Sequence, residues 1–249
     1  MIREPKNQSP ADTAQFAAVE RVFAESAGSV SDKLDAFPKF ASRQALAKFL
    51  ARYEIFKQIL AVNGSIIECG VLHGGGLLTW AKLSAIFEPS NHTRRIIGFD
   101  TFTGFPSVHA SDLSGDSSHV AVGGLRGSTL ADVSAAVELF DLNRPIAHIP
   151  KIELVAGNLC STAGIYLRSN EHLVVGLLYL DVDLYEPTKA ALEAFLPRMP
   201  RGAVLAFDEL NAKTFPGETR AVQEAIGLAN LKIRRFPFDP YISFAIIGD

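Results

Sequence analysis

Apolar and polar positions divide this chain into two kinds of segment. Up to residue 63 the apolar residues recur at helical spacing: Phe16, Val19, Val22 and Phe23 over 12–27, then Leu46, Phe49, Leu50, Tyr53, Phe56 and Leu60 over 41–62, with Asn63-Gly64 as a stop. The polar stretch between them, Ser31 to Phe40, could hold the substrate side of a pocket but reads first as a simple connection between two helices. From Ser65 onward, short apolar runs alternate with helical ones, and strands are expected at 65–69, 95–99, 152–155, 174–181, 203–207, 232–236 and 243–247. Such alternation predicts an α/β fold with a seven-stranded, mostly parallel sheet and helices on both faces. The last two runs follow each other closely through Pro237-Phe-Asp-Pro-Tyr241, which suits an antiparallel edge pair. The expected organisation is an N-terminal helical extension over 1–63 and a single structural unit over 64–249.

Residues 101–128 break the alternation. They are rich in Gly and Ser, carry no sustained period and follow directly on a strand ending at Asp100. A loop this long inside a compact domain is usually functional or disordered, and its place after a strand end suggests a lid over a ligand.

Candidate chemistry begins at Ser65-Ile-Ile-Glu-Cys-Gly-Val-Leu-His-Gly-Gly-Gly-Leu-Leu-Thr-Trp80, an apolar strand closing on an acid and a glycine cluster before a helix. Gly70 and Gly74 to Gly76 would let backbone approach a ligand, and the helix start would point free N–H groups at it. A dinucleotide loop wants G-x-G-x-x-G. The spacing here, Glu68-x-Gly70-x-x-x-Gly74, followed by a strand-terminal Asp100 suited to ribose hydroxyls, fits S-adenosylmethionine better. A tight strand-to-helix turn without a ligand would use the same glycines.

Two further runs, Val174 to Asp181 and Ala203 to Asp208, are buried strands ending in acids. Ligands of open parallel sheets bind outside the carboxyl ends of the strands, so Asp181, Asp183, Asp208 and Glu209 should converge with the glycine loop. Crowded carboxylates repel one another unless a cation joins them, and oxygen donors on strand ends favour magnesium over zinc. The plainer reading is helix capping by Asp183 or Glu186 ahead of Pro187, which suits one acid better than four. Tyr185-Glu-Pro-Thr-Lys189 also matches the Tyr-x-x-x-Lys pair of short-chain dehydrogenases, but Pro187 is expected to leave Tyr185 outside the helix. Among the histidines, His73 in the glycine loop could face the cofactor, and His109 and His119 belong to the suspected lid.

Composition narrows the partners. The 249 residues are 48% hydrophobic, enough for a core on both sheet faces, and carry a net charge of -3. No run of Lys or Arg exceeds a pair, so a nucleic-acid or anionic-membrane footprint is missing and a small-molecule substrate is expected. Cys69 and Cys160 form neither a metal motif nor a disulfide framework, and no apolar run is long enough to span a bilayer, so a cytoplasmic enzyme is expected.

Glu68-Cys-Gly-Val-Leu-His-Gly-Gly, Gly98-Phe-Asp-Thr-Phe-Thr-Gly-Phe-Pro106, Leu180-Asp-Val-Asp-Leu-Tyr-Glu-Pro-Thr188, Phe207-Asp-Glu and Phe215-Pro-Gly-Glu218 together resemble the macrocin O-methyltransferase family, the sugar methyltransferases of macrolide and aminocoumarin biosynthesis, from about Ser65 to Ile226. The resemblance implies a Rossmann-like class I methyltransferase, dependent on S-adenosylmethionine and Mg2+, that acts on a hydroxyl of a sugar or glycosylated small molecule. It makes Asp181, Asp208 and Glu209 metal ligands and Asp183 the general base. This chain departs from the family at Glu209, where Asp is usual. Expected cofactor contacts are Glu68, Cys69, Gly70, His73, Gly74, Gly75, Asp100, Thr101, Phe102, Asn158 and Asp181, and a homo-oligomer such as a dimer is expected. Two other classes stay open: an NAD-dependent sugar oxidoreductase on the same sheet, and a non-catalytic cofactor-binding relative.

Overall fold

The computed structural model describes residues 4 and 8–249, which divide into two compact units between Leu50 and Ala51. In the first, α1 (Pro10–Glu25) starts with a capping box, Ser9 and Asp12 satisfying each other's backbone N–H, with Pro10 in the first turn. The segment expected to be a plain connection is largely helical. Ser29 and Asp32 form a second capping box that opens α2 (Val30–Asp35), and a 3₁₀ turn follows over Phe37–Lys39. A six-residue helix is too short to show a period, so only its cap could have revealed it. The Phe23 and Phe40 rings meet edge to face at 4.9 Å, and Lys33 lies 4.9 Å over Phe23.

Helix α3 (Arg43–Ile59) straddles the division. Its second half belongs with the sheet rather than with an extension ending at 63, because Ala51, Ile55, Phe56 and Ile59 are fully buried in the core of the second unit.

That unit is built on β1 (Ser65–Cys69), β2 (Ile96–Asp100), β3 (Ile152–Ala156), β4 (Val175–Leu180), β5 (Val204–Phe207), β6 (Arg234–Arg235) and β7 (Ser243–Ile246). Its described residues form a seven-stranded sheet in the order β3-β2-β1-β4-β5-β7-β6. The first five strands run parallel, and β7 is antiparallel to both β5 and β6. All seven expected strands are present. The helices are α4 (Gly75–Phe87), α5 (Leu130–Asp141), α6 (Leu159–Ser169), α7 (Tyr185–Phe195) and α8 (Pro216–Ala225).

Alternation along the strands sends Ile66, Leu177, Tyr179, Val204 and Ala206 to a face packed by α3, α4 and α5. Ile67, Cys69, Ile97, Phe99, Leu178 and Leu180 face α6 and α7. Gly98 is bare because a Cβ there would stand 2.8 Å from Val71 and 2.9 Å from Leu77, so α4 can lie close to the sheet. Strand order reverses direction between β1 and β4, which opens a crevice at their carboxyl ends.

Candidate functional site

Three turns with a left-handed residue meet at this crevice: Leu72 after β1 (φ 51°), Phe102 after β2 (φ 56°) and Asp183 after β4 (φ 62°). Backbone in this region costs non-glycine residues about 1–3 kcal/mol each, so its clustering at strand ends marks a built site.

The glycine loop is held from below by Asp100. Its Oδ2 accepts from the Val71 and Leu72 N–H groups at 2.7 and 2.9 Å, and its Oδ1 accepts from Phe102 N–H at 2.7 Å. The carboxylate expected to meet a ribose therefore also ties β1's loop to β2's, with lone-pair capacity left on Oδ1. Gly70 has a different reason from the expected one. At φ 93° its Cβ would lie 1.8 Å from the Asp181 carbonyl, so β4's end alone requires a glycine here. Gly74 (φ 78°) caps α4, while a Cβ on exposed Gly75 would meet nothing within 4 Å. The first turn of α4 is thus open at Gly75. His73 is exposed with Nδ1 3.1 Å from Ser128 Oγ, Thr101 Oγ1 donates to Gly104 O at 2.7 Å, Phe102 is buried, and Asn158 caps α6 through Cys160 N–H.

Glu68 and Cys69 turn inward. The Cys69 side chain sits in the α6/α7 core, where burial pushes its thiol up, and its carbonyl accepts from Asp181 N–H at 2.8 Å. Glu68 is 1% exposed, accepts from Trp80 Nε1–H at 2.5 Å and lies against Gly76, whose Cβ would stand 2.5 Å from Oε1. Burial pushes its carboxyl up to about 8, against the pull of Arg52. Both residues support the loop from beneath.

Arg52 carries the centre of this layer and was not among the expected residues. It is buried, 5.1 Å from the Tyr179 ring, with Nη2 3.6 Å from Asp181 Oδ2. Burial by itself would lower its pKa, but Tyr179, Glu68, Asp208 and Asp181 around it hold it above the ordinary value. Tyr179 O–H in turn donates to Asp208 Oδ1 at 2.7 Å. One buried cation therefore faces the acids at the ends of β1, β4 and β5.

The expected acids do gather at neighbouring strand ends. Asp183, Asp208 and Glu209 are buried, and a fifth joins them: Glu218, the third residue of α8, is fully buried. Its Oε1 accepts from Glu209 N–H at 3.1 Å, and its Oε2 has no hydrogen-bond partner among the described residues. Burial, then Asp208, Glu209, Asp183 and Asp181, push its carboxyl well above the usual range. Among the described residues no three Cys, His, Asp or Glu side chains stand close enough to enclose an ion as they are. The donor chemistry nonetheless fits a hard cation: all are oxygens, they repel one another, and one buried oxygen faces them without a donor.

The 101–128 segment bridges both halves of the crevice. Ser128 N–H donates to Leu72 O at 3.0 Å, and Asp112, 2% exposed, reaches the start of α7. There Tyr185 is the first helical residue, with Pro187 two positions later, so the expectation that Pro187 would exclude Tyr185 is wrong. Proline tolerates any position of the first turn, and Lys189 Nζ comes 5.8 Å from the Tyr185 ring. The Tyr185 hydroxyl donates to Glu224 Oε2 at 2.5 Å instead.

The family model described as macrocin O-methyltransferase (TylF) matches residues 40–230. A crystal structure of CalS11, a calicheamicin methyltransferase, superposes with a TM-score of 0.92 at 33% identity, over 98% of this chain and 95% of that one. Its apo structure, described as a TDP-rhamnose 3'-O-methyltransferase of calicheamicin biosynthesis, gives 0.85 at 32%, over 98% and 97%. The O-methyltransferase NovP shares the fold, with a TM-score of 0.65 at 17% identity over 80% and 79%. No curated protein matches.

Proposed function

This chain belongs to the macrocin O-methyltransferase family and is an S-adenosylmethionine-dependent O-methyltransferase, and from that premise we propose that it methylates a hydroxyl of a nucleotide-linked deoxysugar with the help of magnesium. The reading of an NAD-dependent oxidoreductase gives way to family membership. The observation that carries the acceptor is the end-to-end likeness to CalS11, a TDP-rhamnose 3'-O-methyltransferase, over 98% of this chain.

S-adenosylmethionine supplies an electrophilic methyl group. The amides of α4's first turn and the loop held by Asp100 offer donors for its carboxylate and backbone surface, with Asn158 beside Asp100 across the Gly157 N–H to Asp100 O bond. Magnesium bound by Asp181, Asp208 and Glu209 would make the sugar hydroxyl more acidic and aim it. Asp183 takes the proton: it is buried two residues beyond Asp181, and burial near a reacting hydroxyl suits a general base. Arg52 opposes the accumulated negative charge from beneath and keeps Asp181 oriented.

The test is a mass-spectrometric assay with labelled S-adenosylmethionine, magnesium, and either TDP-rhamnose or finished glycosides as acceptor. A singly methylated nucleotide sugar is expected. Methylation of a glycoside and none of the nucleotide sugar would overturn the acceptor, and full activity in EDTA with no bound metal would overturn magnesium.

A further inference from the structure

Asp183 occupies an unusual piece of backbone. It is the apex of a three-residue turn closed by Leu184 N–H donating to Val182 O at 2.6 Å, at φ 62°. Such turns are rare and strained, so neighbouring structure must hold them. On one side β4 does so. On the other, α7 begins two residues later, yet its capping position, Leu184, has no side chain able to cap.

The missing cap comes from a segment far away in sequence. Asp112 Oδ1 accepts from Tyr185 N–H at 2.8 Å, and Oδ2 accepts from His109 N–H at 3.0 Å. The His109 ring stacks on Tyr185 with centroids 4.7 Å apart. Space for this carboxylate exists because residue 217 is glycine: a Cβ there would lie 1.9 Å from Asp112 Oδ1 and 2.5 Å from Tyr185 N. Gly115 meets the start of α8, its Cβ position 2.6 Å from Thr214 O and 2.7 Å from Pro216. The segment is thus docked where α7 and α8 begin.

We propose that Asp112 is a positioning residue that couples docking of the 101–128 segment to the placement of Asp183. A buried carboxylate capping α7 stabilises its first turn, and that turn fixes the strained residue just before it. Undocking the segment removes the cap, so the base is in place only when the segment is closed. This rests on the reading of Asp183 as the base.

The experiment compares Asp112→Ala and Asp112→Asn with the wild-type enzyme by hydrogen exchange of residues 184–190, affinity for S-adenosylmethionine alone, and turnover of TDP-rhamnose. Asp112→Ala should exchange the Tyr185 amide at least tenfold faster and lower kcat at least tenfold, while cofactor affinity changes less than threefold. Asp112→Asn should recover part of both losses, because its carbonyl oxygen still accepts from Tyr185 N–H. If Asp112→Ala does not fold, Asp112→Asn carries the test by itself: it should still show a partial loss of Tyr185 amide protection and of kcat with cofactor affinity retained. Wild-type exchange and kcat in a folded variant overturn the proposal, as does a kcat loss that asparagine leaves unrepaired. The exchange measurement needs no acceptor, so failure of the nucleotide-sugar reading shows separately, as a wild-type enzyme that does not methylate it.

Discussion

At the residue scale, the four acids at the ends of β4 and β5 divide by surroundings. Asp181 lies 3.6 Å from Arg52 with its side chain a quarter exposed, whereas Asp183 is 5% exposed and set on strained backbone. Asp181→Asn should therefore raise the magnesium concentration needed for activity, since a charged ligand becomes neutral. Asp183→Asn should bind magnesium and cofactor normally but turn over at least about 10²-fold more slowly, because an amide cannot accept the proton. Calorimetric titration of each variant with magnesium separates the two. Equal loss of metal affinity in both would make Asp183 a ligand. In the Phe215-Pro-Gly-Glu218 segment the proline and the acid two residues on mark a helix start, and only the fold shows that this start faces Glu209. Arg52 gave no signal at all. It interrupts an apolar helical pattern, and its partners come from β1, β4 and β5, all distant in sequence.

At the element scale, the glycine loop shows what spacing can and cannot tell. Periodicity placed every strand of the sheet and the turn that follows β1, because buried parallel strands read as apolar runs. The reason for each glycine was not legible, since it depends on which backbone arrives beside it. Gly70 is required by β4, and Gly75 by no neighbour among the described residues. Opposite outcomes follow. Gly70→Ala meets both a left-handed φ and the Asp181 carbonyl and should destabilise the fold by about 2–4 kcal/mol. Gly75→Ala has open space and a helical position, so its thermal stability should match or exceed the wild type, while affinity for S-adenosylmethionine falls. Thermal unfolding and calorimetry check the pair, and unchanged affinity in Gly75→Ala would remove that residue from the site.

At the scale of the whole molecule, the buried polar layer under the crevice should shape the pH dependence of stability. Glu68 is almost wholly inside and its carboxyl is raised from 4.5 to about 8 by burial, partly offset by Arg52. Between those values the unfolded chain has released the proton that the folded protein keeps, so folding binds a proton. Stability contributed by the protonated group is fully present below 4.5 and is lost as pH rises towards about 8, with a slope of at most about 1.4 kcal/mol per pH unit. Glu218, shifted in the same direction by burial and its four acidic neighbours, adds to the decline. Glu68→Gln isolates one contribution: the amide oxygen still accepts from Trp80 Nε1–H, and nothing at the position titrates. Urea unfolding at pH 5.5 and 7.5 should show a smaller drop in the variant than in the wild type. An identical drop in both would mean that Glu68 is already ionised in the folded protein, paired with Arg52, and that the acids at the crevice share that cation less than the packing around Trp80 and Tyr179 implies.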